Sequence, residues 1–349
     1  MKTCIFVLGM HRSGTSALTR TLNLLGAELG PELKQADAID NPTGYWEAER
    51  VVELNDQLFA HFDSHYMEYL PLPGDFQDQR PVQLMAEQAL KYLVNTFSGA
   101  SLPALKDPRL SRTFPVWRHA AERLGWRAVA ALSVRDPRQV ADSLMRRDRS
   151  YAVEDALLLW LAYMLDAERY SRGLPRATIS YDDLLADPAA VVSTLATTWD
   201  LGFPQSWADV EADVRGFLQL ELRRSQPVDT GADPLSIAAL ADETAAALFR
   251  RPLPDAAIFD ALYTRFRMLT DATEAVRRRD RQANLRLKAD NVELAAISEK
   301  RRHEQQEITR IADERLNQVR ALGIGIEERE QRIGELGRTI RYLETLVGS

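Results

Sequence analysis

The sequence contains little cysteine, with one residue, Cys4, in a chain of 349. A single thiol excludes an internal disulfide framework, and its place in an apolar run predicts a buried, unreactive side chain. No apolar run is long enough to span a bilayer. The short apolar run near the N-terminus leads directly to His11-Arg12, which is not typical of a secretory signal. We therefore expect a cytoplasmic protein, or one peripheral to a membrane.

An excess of positive charge is also lacking, because the formal net charge is −7. This balance argues against general nucleic-acid binding. From residue 271 onward there are 16 basic and 15 acidic residues, whereas the rest of the chain has 28 and 36. An acidic body that binds a polyanion must concentrate its cations locally. Arg12, Lys106 and Arg135 are the candidates for that role.

The first sixteen residues have the pattern of a strand, a glycine-bounded turn and a helix start. Residues 3–8 are a short apolar run rich in β-formers, which is typical of a buried parallel strand. Residues 9–16 read Gly-Met-His-Arg-Ser-Gly-Thr-Ser, and the helical pattern that follows closes at Gly26. Backbone N–H groups at a helix N-terminus point at anions, and the helix dipole favours negative charge. The sequence therefore predicts a phosphate-binding loop.

This loop lacks the lysine of ATP- and GTP-binding loops. Gly9 and Gly14 have the required spacing, but Thr15 stands where a lysine should reach the β- and γ-phosphates. Arg12 is the only strong cation in the loop. A nucleotide kinase or NTPase is therefore kept as an alternative function, and an ordinary Gly-rich turn as a second alternative.

Strands and helices alternate along the first 255 residues. After the first strand, short strands are predicted to end at Lys106, Val134 and Ser180, each followed by a helical pattern. This alternation predicts an α/β fold, a parallel sheet with helices on both faces. We expect this domain to occupy residues 1–255.

Residues 256–349 contain no proline and are rich in helix formers and charges. Apolar residues near the end are spaced +3 and +4, with an interruption at Arg329: Val319, Leu322, Ile326, Ile333, Leu336, Ile340, Leu343 and Val347. The spacing predicts a coiled coil, and hence a homo-oligomer. Charges at core positions around 301–315 and four glycines weaken the pattern. A solvated charged helix or a partly disordered tail is the alternative.

Residues His11 to Ser16 resemble the phosphosulfate-binding loop of sulfotransferases that use 3′-phosphoadenosine 5′-phosphosulfate (PAPS). The segment from Val134 to Ser143 is similar to the 3′-phosphate motif of that family. There, an arginine at a strand end and a serine eight residues later share one phosphate. The resemblance implies PAPS as donor, adenosine 3′,5′-bisphosphate as product and no metal, with the donor bound by His11, Arg12, Ser13, Gly14, Thr15, Ser16, Arg135 and Ser143.

Sulfuryl transfer requires cations for the migrating group and the leaving phosphate, and a base for the acceptor hydroxyl. The resemblance assigns Arg12 and Lys106 as the cations, although Lys106 could be a solvated loop lysine. Glu47 is the preferred base, because carbohydrate-directed sulfotransferases place a glutamate after the first helix. Asp107 is the alternative, because it follows Lys106 and the small-molecule branch carries its histidine base one or two residues after the corresponding lysine. The Glu47 placement favours a hydroxyl acceptor on a sugar or glycolipid.

The chain also departs from the family pattern. Ala17 stands where the small-molecule enzymes have a tryptophan, so another aromatic residue must stack on the adenine. Arg223 and Arg224 could supply a late basic contact to the 3′-phosphate. A third alternative is a nucleotide-sensing scaffold that works through its coiled coil without catalysis. Residues from Tyr181 to Pro188 resemble a further family segment, to which no chemistry is assigned.

Overall fold

Four parallel strands form one sheet in the part of the chain that the structure describes. This structure is a computed structural model that describes residues 1–36, 43–218, 227–228 and 236–347. The strands are β1 (Thr3–Leu8), β2 (Ala104–Lys106), β3 (Arg127–Val134) and β4 (Arg176–Ser180). Their order is β2-β1-β3-β4, and every neighbouring pair is parallel. The predicted α/β fold class is therefore confirmed.

Helices connect and follow these strands. They are α1 (Thr15–Leu24), α2 (Glu49–His61), α3 (Arg80–Phe97), α4 (Leu110–Arg123), α5 (Pro137–Arg147), α6 (Val153–Tyr170), α7 (Tyr181–Ala186), α8 (Pro188–Trp199), α9 (Trp207–Phe217), α10 (Ile237–Phe249) and α11 (Ala256–Val347). Helix starts follow the sequence signals: Asp136 and Asp187 each precede a proline, and their carboxylates accept hydrogen bonds from first-turn amides.

The strands are buried on both faces, and their side chains alternate between two hydrophobic cores. In β1, Cys4, Phe6 and Leu8 pack into the core shared with α2–α6 and α10, whereas Ile5 and Val7 pack into the core shared with α1 and α7–α9. The alternation follows from the two-residue repeat of a strand. Burial also raises the pKa of the Cys4 thiol, which keeps it protonated. The predicted inert cysteine agrees with this environment.

The sheet places four loops at one edge. Because all four strands are parallel, their carboxyl ends lie together, at the position where open α/β sheets bind ligands. The segment after β1 is the glycine-bounded loop, and β2 ends at Lys106, paired in register with Val7. Arg135 follows β3 and Tyr181 follows β4. Four sequence-distant segments thus meet at one site.

The chain divides into two compact units, Met1–Ala272 and Thr273–Ser349. Helix α11 begins at Ala256, and the boundary expected at residue 255 remains a prediction. Arg223 and Arg224, which were considered for a phosphate contact, lie outside the described residues. Among the described helices, none combines the length and apolar character required to cross a membrane.

We expect Phe6→Ala to lower the free energy of unfolding by about 3–5 kcal/mol, because it removes a large aromatic side chain from a packed core. Phe6 is fully buried, and its ring meets that of Phe114 edge to face at a centroid distance of 5.0 Å. Urea unfolding followed by circular dichroism measures the change. The matched control is Phe249→Ala, because Phe249 is 38% exposed and should cost less than about 1 kcal/mol. If Phe6→Ala and Phe249→Ala lowered the free energy of unfolding equally, the assignment of Phe6 to the core would be contradicted.

Candidate active site

The loop after β1 has a backbone that requires glycine at two positions. Gly9 and Gly14 have φ angles of 142° and 86°, in the region that side chains rarely adopt. A Cβ atom on Gly9 would lie 2.5 Å from the carbonyl oxygen of Ser133. A Cβ atom on Gly14 would lie 2.3 Å from the Tyr181 ring. The two glycines therefore allow the loop to pack directly against the ends of β3 and β4.

Three hydrogen bonds from other segments hold this loop. Gly9 N donates to Ser111 Oγ at 2.8 Å, and Ser133 Oγ donates to the Ser13 carbonyl at 2.8 Å. Arg135 Nη1 donates to the Arg12 carbonyl at 3.3 Å. Arg12 itself has a φ of 70°. Because the loop is bound on both sides, its shape is set by α4 and β3 as well as by its own sequence.

Helix α1 begins inside this loop. Gly14 occupies the N-cap position, so the first turn receives no side-chain cap from it, whereas α5, α7, α8, α9 and α10 start with an Asp or Ser cap. First-turn amides without a side-chain cap, together with the helix dipole, are suited to bind an anion. The buried hydroxyl of Ser13 also has no hydrogen-bond partner within the described chain. The predicted loop therefore has the local features of a phosphate cradle.

Arg12 connects this cradle to the segment after β3. Its Nε donates to Ser143 Oγ on α5 at 2.8 Å. Arg135 donates through Nη1 to the Arg12 carbonyl and through Nε to Gln139 Oε1 at 3.0 Å. The Arg135 guanidinium lies over the Tyr181 ring, 5.0 Å from its centroid. The structure thus brings together Arg12, Arg135 and Ser143, which are far apart in the sequence.

Lys106 and Glu47 form a buried ion pair on the other side of the loop. Lys106 Nζ donates to Glu47 Oε1 at 2.6 Å, to the Tyr45 carbonyl at 2.8 Å and to Ser16 Oγ at 3.1 Å. The residues Lys106 and Glu47 are only 3% and 4% exposed. An ammonium group has three donors, and all three are used here. The alternative of a solvated loop lysine is therefore wrong.

Asp107 has a different environment from Glu47. It is fully buried, and Oδ2 accepts from Asn55 Nδ2 at 2.7 Å. Its Oδ1 accepts from Arg109 N at 3.1 Å and Arg109 Nη1 at 2.9 Å. Burial alone would lower the pKa of Arg109, but the carboxylates of Asp107 and Asp56 outweigh it and raise that pKa. These contacts make Asp107 a residue that orients Arg109.

His11 is a neutral imidazole at the edge of the site. Burial and, to a smaller extent, the cations of Arg147 and Arg109 together lower its pKa to about 3. Its ring meets those of Tyr163 and Tyr66 edge to face, with centroids 5.5 and 6.1 Å apart. Its buried Nε2 atom makes no hydrogen bond within the described chain.

These residues surround one cleft, of about 190 Å³. Of the predicted site residues, those that line it are His11, Arg12, Gly14, Thr15, Ser16, Glu47, Lys106 and Arg135. Ser13 and Ser143 support the lining from behind through the loop and Arg12. Lys34, Arg109 and Arg147 add positive charge, and Glu47 is the one carboxylate among the described lining residues. An anionic ligand fits this balance.

Several residues of the site had no signal in the sequence. Tyr181 lies against Gly14 and under Arg135, although its segment was assigned no chemistry. Ser111 and Ser133 hold the loop through single hydroxyls. Phe217 is an aromatic side chain in the cleft, and its ring meets Trp46 at a centroid distance of 6.3 Å. A serine in a helix or strand is too common for its position to have indicated these contacts.

The chain is similar to solved sulfotransferase structures. The sulfotransferase domain of the Synechococcus PCC 7002 olefin synthase matches with 19% identity and a TM-score of 0.37, over 76% of this chain and 96% of that one. A sulfotransferase domain from the curacin biosynthetic pathway matches with 17% identity and a TM-score of 0.35, over 76% of this chain and 97% of that one. Retinol dehydratase, in complex with androsterone and inactive cofactor PAP, matches with 17% identity and a TM-score of 0.32. The match covers 64% of this chain and 66% of that one. No family model and no curated protein matches the chain.

We expect acid to destabilise the wild-type protein more than the His11→Gln variant. A histidine whose folded-state pKa is lowered to about 3 binds protons more readily when unfolded, so stability falls as the pH drops below about 6.5. Between pH 7 and pH 5, the wild type should lose about 1–2 kcal/mol more than the variant. Urea unfolding at both pH values measures this difference. Equal pH dependence of the two proteins would show that His11 titrates normally.

Proposed function

We propose that this protein transfers a sulfuryl group from PAPS to an acceptor hydroxyl. The observation that supports it best is a second cationic group beside the phosphate loop. Arg135 and Ser143 both contact Arg12, one through its backbone and one through its side chain. A loop for the 5′ end of a nucleotide needs only its amides and one cation. The additional arginine and serine suit the ribose 3′-phosphate that distinguishes PAPS from ATP.

The residues present fit such a donor. The loop amides, Arg12 and the buried Ser13 hydroxyl would hold the 5′-phosphosulfate, and Arg135 with Ser143 would hold the 3′-phosphate. Phe217 is the aromatic residue that we assign to the adenine, because it lines the same cleft as Ala17. The donor supplies an activated sulfuryl group attached to a phosphate leaving group. For this transfer the protein must supply positive charge for the phosphate leaving group and hold the reacting groups in line, and we propose no metal for it.

Glu47 and Lys106 would perform the protein's part of the transfer. In this proposal, Glu47 accepts the proton of the acceptor hydroxyl while Lys106 stabilises negative charge on the group being transferred. Their contact at 2.6 Å keeps both groups in position at the floor of the cleft. A buried ion pair of this kind is retained only when its remaining donors are satisfied, as the Tyr45 carbonyl and Ser16 do for Lys106. We assign Asp107 no catalytic role.

The proposed acceptor is a saccharide or glycolipid hydroxyl. Its support is the position of the glutamate, after the first helix and at the start of α2, together with polar lining from Thr43 and Tyr45. A P-loop kinase would instead need a cation at Thr15, which lies buried at the start of α1. A Lys106–Glu47 pair that lines the cleft favours catalysis over a scaffold without catalysis. These two alternatives are outcomes of the experiments below.

We expect adenosine 3′,5′-bisphosphate to bind at least about 100-fold more tightly than ADP or Mg-ATP, because only the bisphosphate has the 3′-phosphate. Arg135→Ala should remove most of this preference, since charge-assisted contacts of this kind contribute about 1.5–3 kcal/mol. Isothermal titration calorimetry measures each affinity.

The matched control is Arg123→Ala, which removes a half-exposed arginine paired with Glu87 on α3. This variant should bind the bisphosphate like the wild type. Tighter binding of Mg-ATP than of the bisphosphate would contradict the donor assignment and favour the kinase alternative.

We expect Glu47→Gln to lower kcat for sulfuryl transfer by about 10²–10⁴-fold, since it removes the base but keeps an oxygen for Lys106. The assay follows labelled sulfate from PAPS to octyl glucoside as a saccharide probe and to 4-nitrophenol as an aryl probe. Bisphosphate affinity should change by less than about threefold, which separates loss of the base from loss of the site.

Glu49→Gln is the matched control, because Glu49 lies two residues away, is exposed, and does not line the cleft. It should transfer at the wild-type rate. An unchanged rate for Glu47→Gln would rule out Glu47 as the base. Transfer to 4-nitrophenol alone would contradict the saccharide assignment while leaving the reaction class intact.

A further inference from the structure

The second compact unit has an apolar stripe that is exposed to solvent. Within α11, seven of the exposed large apolar side chains between Val319 and Leu343 fall at heptad core positions and are 52–69% exposed: Val319, Leu322, Ile326, Ile333, Leu336, Ile340 and Leu343. Their spacings are +3 and +4, with one step of +7 across Arg329, so they lie on one side of the helix. We call this stripe the α11 seam. A contiguous exposed stripe of this kind usually marks an interaction surface.

The residue types within the seam are sorted by position. In heptad notation, the a positions are the β-branched residues Val319, Ile326, Ile333 and Ile340. The d positions are Leu322, Leu336 and Leu343, with Arg329 as the exception. β-Branched residues at a with leucine at d favour parallel, two-stranded coiled coils over trimers and tetramers. We propose that the α11 seam binds the seam of a second copy of this chain, in parallel and in register.

Comparison of the possible alignments supports this orientation. In the parallel, in-register alignment, seven of the eight positions from Val319 to Leu343 face their own apolar counterparts, and Arg329 faces only itself. An antiparallel alignment of the same segment pairs a with d, which places each Arg329 against an Ile333 of the other copy. The antiparallel alignment therefore has two layers that each place an arginine against an isoleucine. The parallel alignment confines the polar side chains to one layer, in which the long Arg329 side chains must turn their like charges outward to solvent. A parallel shift by one heptad places Arg329 against Leu322 and Leu336. This shift also creates two layers that each place an arginine against an apolar side chain.

The glycines of α11 lower the stability of an isolated helix, a cost that pairing of two seams would offset. Gly323, Gly325, Gly334 and Gly337 lie within the span of the seam, and each costs about 1 kcal/mol of helix stability relative to alanine. A helix without tertiary contacts is marginal even for good sequences. A fully buried Val, Leu or Ile side chain contributes about 1.5–3 kcal/mol, so pairing of two seams exceeds the glycine cost.

The positions that flank the seam are compatible with a second copy. In a parallel dimer, each g residue faces the e residue five positions later on the other chain. These pairs are Gln318 with Gly323, Gly325 with Glu330, and Arg332 with Gly337. Each pair contains at most one charged side chain, so like charges do not oppose each other there. The register is therefore set by the apolar layers.

Sedimentation equilibrium of the full chain tests the partner and the strand number. We expect a mass twice the 39.4 kDa of one chain. Ile326→Asp should raise the dimer dissociation constant by at least about 100-fold, because it would bury two facing carboxylates. Ile324→Asp is the matched control, since Ile324 and Ile326 are 59% and 58% exposed but only Ile326 lies on the seam. The control should change the constant by less than about threefold.

Disulfide trapping tests the orientation. Leu322→Cys should form an interchain disulfide under mild oxidation, because a disulfide needs Cα atoms within about 7 Å. In the antiparallel alignment, Leu322 faces Ile340, and the two cysteines would be separated by about 27 Å along the axis at 1.5 Å per residue. The wild type is the control, since its Cys4 is buried.

Each outcome decides the proposal. A dimer that dissociates on Ile326→Asp and is trapped by Leu322→Cys supports it. A mass of one or three chains overturns the two-stranded assignment, and a dimer without trapping overturns the parallel orientation. Equal dissociation of the Ile324→Asp and Ile326→Asp variants would show that the seam is not the contact. None of these results depends on the proposed sulfuryl transfer.

Discussion

The hydrogen bonds that hold the loop after β1 constrain the rest of the site. Ser111, Ser133 and Arg135 each contact a backbone group of this loop, and they come from α4, β3 and the segment after β3. Because these elements also position the cleft, the loop and its surroundings form one network. A change in the register of β3 would therefore move the Arg135 contact and the loop together.

The charged groups of the site differ in whether they line the cleft or lie behind its lining. Asp107 and Arg109 bind each other closely and also bind Asn55 and Asp56, which fixes them as support. Lys106 and Glu47 have a direct mutual contact, yet both line the cleft. The acidic chain thus achieves a cationic cleft because Asp107 is buried behind the lining and Glu47 is the one carboxylate among the described lining residues.

The sequence predicted most of the fold and part of the site. The positions of the strands along the chain, the loop and the place of Lys106 beside it follow from local patterns, because buried parallel strands have short apolar runs and their carboxyl ends share an edge. The order of the strands within the sheet was not predicted. The burial of Asp107 depends on Asn55, 52 residues away, and no local pattern encodes such a pairing. Likewise, the packing of Tyr181 against Gly14 depends on how α7 meets the loop.

The glycine start of α1 has a consequence for stability. Five helices begin with a side chain that satisfies first-turn amides, whereas α1, like α2, α3, α4 and α6, has no such cap. Of these uncapped helices, α1 is the one that begins inside the glycine-bounded loop. An anion bound there would complete the helix, so binding and folding are thermodynamically linked. A ligand at 100 times its dissociation constant adds about 2.7 kcal/mol to the free energy of unfolding. The lifetime of the folded protein would then rise with the concentration of any anion that binds at this helix start.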